Sequence, residues 1–338
     1  MTRADKPLAL TLGDPAGIGP DIALYAWSAG LATPVPPFVL LGDPGVLAER
    51  ARALGLAIRI ETISDVAAAP SLFANALPVL PISVARPVVA GRPDPANAGV
   101  VQQSIERAVA LVQSGAASAV VSNPISKATL ARAGFGFPGH TEFLAKLAGR
   151  ETSDAVMMLV GEDLKVVPVT IHIPLKEVMG ALTTERIVKT LEITARDVVR
   201  YFGLARPRIA VTGLNPHAGE DGTLGREEIE TIVPAIEAAR RQGLDVTGPY
   251  PADTLFHAEA RKSYDVAVAM YHDQALIPVK TLTFDTGVNV TLGLPFVRTS
   301  PDHGTAFALA GTGRASPRSL IEALRLAGTM RRNAETAP

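Results

Sequence analysis

The chain reads as an α/β protein with a mainly parallel sheet, and three observations predict it. Short runs of Val, Ile and Leu alternate with longer amphipathic segments along most of the sequence. Turns rich in Gly, Pro and Asp punctuate them, as at GDPAG (13–17) and GDP (42–44). Finally, 338 residues with 47% hydrophobic content suffice for a large core, a size ordinary for two domains.

The elements follow in order. PLALTLGDP (7–15) is a strand and turn, and residues 20–28 form a helix that Pro20 can begin. FVLLGDP (38–44) repeats the pattern, with a helix over 45–54. The stretch 84–99 is rich in Pro and Gly and reads as a loop. A helix over 100–114 sets Val101, Ile105, Ala108 and Val112 on one face. ASAVVSNP (117–124) is a strand, and 125–133 a helix. The glycine-rich loop GFGFPGHTEFLAKLAG (134–149) enters a helix near Thr141. VMMLVGEDLKVVPVTIHIP (156–174) reads as a hairpin around 161–163. Helices over 184–202 and 226–242 flank a strand ending at Leu214. The tail 319–331 is a last helix with late basic residues, which suit the helix dipole.

Composition excludes several function classes. A formal net charge of -1 gives no sign of a nucleic-acid or anionic-membrane partner. The absence of cysteine removes disulfides, thiolate nucleophiles and Cys-ligated zinc, so a metal must rest on histidine and carboxylate. MTRADKPLALTLGDPAG lacks a signal-peptide core, and no run approaches the roughly 20 apolar residues that cross a bilayer. The expectation is a soluble, cytoplasmic protein.

Three histidines carry the chemistry. His172, His217 and His272 each stand just past a strand-like run: KVVPVTIHIP, RIAVTGLNPHAGE and DVAVAMYHDQ. Any one alone is an ordinary loop or capping residue. In a parallel sheet, however, strands end side by side and ligands bind beyond their carboxyl ends. Three imidazoles on one edge make a metal site that leaves a position open for substrate. Asp273 follows His272, and Asp253 lies in PADTLF (251–256); each is a helix cap, a metal partner or an orienting carboxylate. His257 is assigned to structure. Lys280, Asn289 and Arg298 recur at nine-residue intervals and, if the chain turns back between them, converge on a phosphate; solvated loop positions are the competing account. His140 and Thr141, at a helix start, are placed to receive an anion. GDPAGIGPD (13–21) fails the G-x-G-x-x-G spacing, so a Rossmann site is excluded there; its backbone N–H groups remain available to a ligand.

GDPAGIGPD, SNPISKATL, FPGHTEFLA, GLNPHAGEDG, PADTLF, MYHDQALIPVK and GVNVTLGLPFVRTSPDHGTA, in this order, resemble the 4-hydroxythreonine-4-phosphate dehydrogenase family from about Leu8 to Leu326. The resemblance implies two α/β/α domains around a central cleft, like isopropylmalate and isocitrate dehydrogenases. One domain combines 1–130 with 300–338; the other, 131–299, holds the metal and substrate residues and the dimer interface. It further implies a cytoplasmic homodimer in vitamin B6 (pyridoxine) biosynthesis that oxidises 4-phosphooxy-L-threonine with NAD or NADP. Its divalent-metal ligands (zinc, cobalt or magnesium) fall on His172, His217 and His272, one of them supplied by the partner chain. Its substrate contacts fall on His140, Thr141, Lys280, Asn289 and Arg298.

PDHGTAFALAGTGRASP (301–317) also resembles the isopropylmalate-type cofactor loop, with Gly304, Thr305 and Ala306 against the adenosine. That pattern often has an acid at the position of Ala308, so the choice between NAD and NADP is open. Hydride leaves C3 for the nicotinamide, a divalent ion easing loss of the hydroxyl proton. Asp253, Asp273 or a water relay takes that proton, and the β-keto acid product loses CO₂. Rival readings are a sister dehydrogenase acting on a phosphorylated four-carbon sugar acid or a cyclic dihydrodiol, a metal-dependent hydrolase, and a phosphometabolite sensor.

Overall fold

The computed structural model describes residues 6–30, 34–137 and 139–336. Expectations touching residues 1–5, 138 and 337–338 (the ends of the terminal domain and the proline of FPGHTEFLA) lie outside the described residues. The chain divides into two compact units, Met1–Ala155 with Leu294–Arg332, and Val156–Gly293 with Asn333–Pro338. Residues 131–155, which the sequence reading grouped with the central segment, pack with the terminal unit instead. His140 and Thr141 therefore belong to the first unit.

Its strands, in chain order, are β1 (Leu8–Thr11), β2 (Phe38–Gly42), β3 (Ile60–Thr62), β4 (Leu77–Pro81), β5 (Val120–Val121), β6 (Val156–Val160), β7 (Lys165–Thr170), β8 (Ile209–Thr212), β9 (Val246–Tyr250), β10 (Val266–Tyr271), β11 (Val288–Leu292) and β12 (Arg298–Pro301). In the first unit the order is β3-β4-β2-β1-β5-β12, every pairing parallel. β1, β2 and β5 are buried along their whole length, as strands covered by helices on both faces must be.

In the second unit the order is β11-β6-β7-β10-β8-β9. The hairpin β6–β7 and the pair β11–β6 are antiparallel, whereas β7, β10, β8 and β9 run parallel. The expected hairpin turn is present, with Gly161 N donating to Leu164 O at 2.8 Å. The helix Thr184–Phe202 is capped by the Thr183 hydroxyl and ends at Gly203, whose φ of 69° suits glycine. It buries Ile187, Leu191, Val198 and Tyr201 against the sheet side; each such side chain contributes about 1.5–3 kcal/mol of apolar burial.

Several elements depart from the sequence pattern. The expected helix over 226–242 opens with a π-helical turn, Glu228–Ile232, before the α-helix Val233–Arg241. A helix runs from His272 to Thr283 despite Pro278 inside it. β9 carries a proline and was not expected, but it lies at the edge of the order, where a missing ladder donor is tolerated. The GDPAGIGPD turn is buried throughout, and four of its N–H groups are spent internally. Asp14 N donates to Pro124 O, Gly17 N to Asp14 O, Ile18 N to Thr305 O and Ala16 N to the Asp14 carboxylate. Those four are closed to a ligand, and the turn also packs as a support for the 305–311 loop, whose Gly311 N donates to Asp21. No helix among the described residues is long and apolar enough to cross a membrane.

Candidate active site

The order β7-β10-β8 sets the three histidine-bearing strand ends side by side on one edge of the second unit. His172 lies just past β7, His272 opens the helix after β10, and His217 sits in the turn Pro216–Gly222 after β8. His172 and His217 both hold left-handed backbone, φ 52° and 51°, a conformation that non-glycine residues adopt at a cost and that gathers at functional sites. The rings of His172 and His272 are brought together, centroids 5.6 Å apart. Two imidazoles sharing one tetrahedral ion at about 2.0–2.1 Å per nitrogen need ring centres roughly 5 Å apart, so this pair fits a common cation. No group of three potential ligands forms a cation site among the described residues of the single chain.

The pair lines a cleft of about 240 Å³ together with Thr170, Ile173, Tyr271 and Asp273. Asp273 places Oδ1 2.7 Å from His272 Nδ1, a contact that orients the ring and turns Nε2 to any other partner. Asp253 is exposed and caps nothing; the short helix Ala252–Leu255 begins at Pro251 without a side-chain cap. Asp253 and Asp273 line a second hollow of about 450 Å³ that shares Tyr271 with the first. His257 caps the helix Ala258–Arg261 through Nδ1, a structural role.

The first unit holds a different arrangement. Arg298, on β12, is 5% exposed and places Nε 3.3 Å from Ser122 Oγ and Nη2 3.3 Å from His140 Nδ1. Burial lowers its guanidinium to about 10, still cationic at neutral pH. Burial also holds His140 well below the ordinary histidine value, and the charges of Arg298 and Lys127 push the same way. His140 Nε2 is shielded from solvent and has no hydrogen-bond partner among the described residues. Thr141 follows it in the first turn of the helix His140–Leu147. A neutral imidazole with an unspent nitrogen, a buried guanidinium and a helix N-terminus together form a receptor for an oxyanion.

Lys280 lies on the helix His272–Thr283 rather than in a loop, and Asn289 on β11 opposite Leu159. Both belong to the second unit, Arg298 to the first. In the loop after β12 Gly304 and Ala306 are exposed, and a Cβ added at Gly304 would meet nothing within 4 Å. Ala306 is left-handed at φ 40°. The loop thus leaves backbone open for an adenosine to approach.

Sequence reasoning missed Ser122 and Lys127, both inside SNPISKATL, and gave no role to Gln274 or Glu228. Gln274 accepts from Met270 N and bonds Thr212 and Gly213; buried Glu228 accepts from Leu214 N and Asn215 N. Each acts on a distant stretch of chain, and no local pattern marks such a partner.

Comparison with known proteins agrees with the motif order. The profile of the family described as "Pyridoxal phosphate biosynthetic protein PdxA" matches residues 34–327. A relative from Methylorubrum populi, named 4-hydroxythreonine-4-phosphate dehydrogenase, is 58% identical over 332 residues, covering 97% of this chain and 95% of its own. The crystal structure of 4-hydroxythreonine-4-phosphate dehydrogenase from Klebsiella pneumoniae superposes with a TM-score of 0.85 at 38% identity, covering 96% of this chain and 99% of that one. A terephthalate 1,2-cis-dihydrodiol dehydrogenase from Burkholderia xenovorans is more distant, with a TM-score of 0.64 at 29% identity over 96% of this chain and 98% of that one. By the span of that profile and by near-full-length identity to its relatives, this chain belongs to the PdxA family of pyridoxal phosphate biosynthetic proteins.

Proposed function

We propose that the chain oxidises the C3 hydroxyl of 4-phosphooxy-L-threonine with NAD or NADP, as a 4-hydroxythreonine-4-phosphate dehydrogenase of pyridoxal 5'-phosphate biosynthesis. The product, 2-amino-3-oxo-4-(phosphooxy)butanoate, loses CO₂ to give 3-amino-2-oxopropyl phosphate. The observation that carries this reading is the His172–His272 pair, two rings 5.6 Å apart beyond adjacent parallel strand ends.

His172, His217 and His272 would hold a divalent cation, zinc, cobalt or magnesium, which when bound eases deprotonation of an alcohol. Because one chain gathers two of these rings, the third comes from a second copy, in a homodimer whose active site lies at the subunit interface. The exposed apolar side chains of the second unit support that partner: Leu175, Met179, Ile277, Leu282 and Phe284 are all largely uncovered. Arg298, Lys280 and Asn289 bind the phosphate, with His140 donating from its shielded Nε2 and Thr141 beside it. Anchoring that end fixes which C3 hydrogen faces the nicotinamide. Asp253 or Asp273 receives the hydroxyl proton, directly or through water. Gly304, Thr305 and Ala306 line the adenosine; with Ala308 in place of an acid, neither NAD nor NADP is repelled.

The test is NAD(P)H formation on 4-phosphooxy-L-threonine with and without chelator, beside a cis-dihydrodiol substrate. Turnover on the phosphorylated substrate alone, lost with chelator, is expected. His217→Ala should abolish both turnover and metal retention with an unchanged circular dichroism spectrum. Full activity in a metal-free His217→Ala protein would overturn the metal reading.

A further inference from the structure

We infer that Gln274 and Glu228 are positioning residues, which lock the backbone carrying the histidines and thereby set the affinity of that edge for a divalent cation. The inference rests on the metal reading above.

The second unit holds a continuous string of buried and half-buried polar contacts across the ends of three strands. Thr170 Oγ1, at the end of β7, donates to Met270 O at 2.8 Å. Met270 N, on β10, donates to Gln274 Oε1 at 2.8 Å, and Thr212 Oγ1, at the end of β8, donates to the same oxygen at 2.8 Å. Gln274 Nε2 donates to Gly213 O at 2.8 Å. One amide thus ties the chain entering His272 to the chain leaving β8 toward His217. Beyond Gly213, Glu228 continues the string: Oε1 accepts from Leu214 N and Asn215 N at 2.8 Å each, and Oε2 accepts from Asn215 Nδ2 at 3.0 Å.

The fit around Glu228 is close. It is 3% exposed and starts the π-helical turn Glu228–Ile232. A Cβ at Gly219 would lie 2.5 Å from its Oε2, and one at Gly213 would meet Ala218 at 2.7 Å and the Glu228 Oε1 at 3.0 Å, so both positions need glycine beside this carboxylate. The segment that follows Asn215 needs a fixed entry. From His217 to Asp221 every φ is positive: 51°, 51°, 80°, 41° and 56°. Non-glycine residues in that region cost on the order of 1–3 kcal/mol each and persist only where the surroundings over-determine them. Buried polar groups placed this way specify one arrangement, and a ligand set held to one arrangement binds its ion more tightly.

Cobalt(II) titration of the full-length, metal-stripped protein by visible absorption, and zinc competition against a chromophoric chelator, test the inference. Gln274→Met and Glu228→Ala should weaken cation binding about 10–100-fold. Glu228→Gln, which keeps an oxygen toward Leu214 and Asn215, should recover most of the affinity. Ile236→Ala, a buried change in the helix Val233–Arg241, should lower Tm without moving the affinity. If Gln274→Met fails to fold, Gln274→Glu carries the same expectation, since it keeps the acceptor but loses the donor to Gly213 O. Wild-type affinity in Gln274→Met or Gln274→Glu and in Glu228→Ala, with His217→Ala still impaired, would overturn the inference and leave the metal reading standing. Equal weakening in Ile236→Ala would reduce the string to general stability and also overturn it. A wild-type protein that takes up no cation would defeat the metal reading, and this inference with it.

Discussion

The two candidate half-sites are built in opposite ways. In the first unit Arg298 is buried and His140 shields Nε2, and both are held by the sheet end and by the helix His140–Leu147. In the second unit His172 and His217 are exposed on left-handed backbone, braced by a string of side chains behind them. An anion receptor gains from a cation kept out of water, and the first unit buries Arg298 beside a neutral His140. A three-imidazole cation site needs ligands on one centre, and one chain aligns only two. The first unit thus buries its candidate anion-binding groups, whereas the second presents its imidazoles at the surface.

The largest test of this contrast is Arg298→Ala. Each charge-assisted hydrogen bond lost costs about 1.5–3 kcal/mol, so losing a bidentate phosphate contact should raise KM by about 100-fold or more. Arg298→Lys should recover only part, because an ammonium lacks the planar fork. Steady-state kinetics on the phosphorylated substrate read both, and an unchanged KM would remove Arg298 from the phosphate site. A smaller effect belongs to the other unit. Asp273→Asn removes the carboxylate that orients His272, and since that carboxylate is 71% exposed the loss of metal affinity should sit near the low end, about 10-fold. Isothermal titration with zinc measures it; no change would leave Asp273 to the proton step alone.

The half-sites were also unequally legible. His172, His217 and His272 announce themselves because each ends an apolar run, and parallel strands put run ends together. Arg298 and His140 lie 158 positions apart, one on β12 and one at a helix start, and no local pattern encodes their contact. The helix that carries Lys280 was hidden because Pro278 lies inside it: a proline there normally costs about 3 kcal/mol or more and reads as a break. Asp253 resembled a cap, but Pro251 begins that helix. Glu228 and Gln274 were invisible for the reason that makes them useful, since they spend their polar atoms on the chain around 212–215, outside their own elements.

The smallest effect concerns pH. Burial, then Arg298 and Lys127, depress the His140 pKa in the folded chain, whereas the unfolded chain protonates near the ordinary value of about 6.5. Below that pH the unfolded state binds a proton that the folded state refuses. Stability therefore falls as pH drops through about 6.5, and the loss stops growing once the folded-state pKa is reached. One such group gives a slope of at most about 1.4 kcal/mol per pH unit. His140→Gln should remove that acid-side slope while leaving stability above neutral pH little changed. Urea unfolding of both proteins across the acid range measures it. Parallel curves would mean that His140 takes up its proton in place, and a protonated ring would make the first unit's receptor more cationic than a neutral His140 allows.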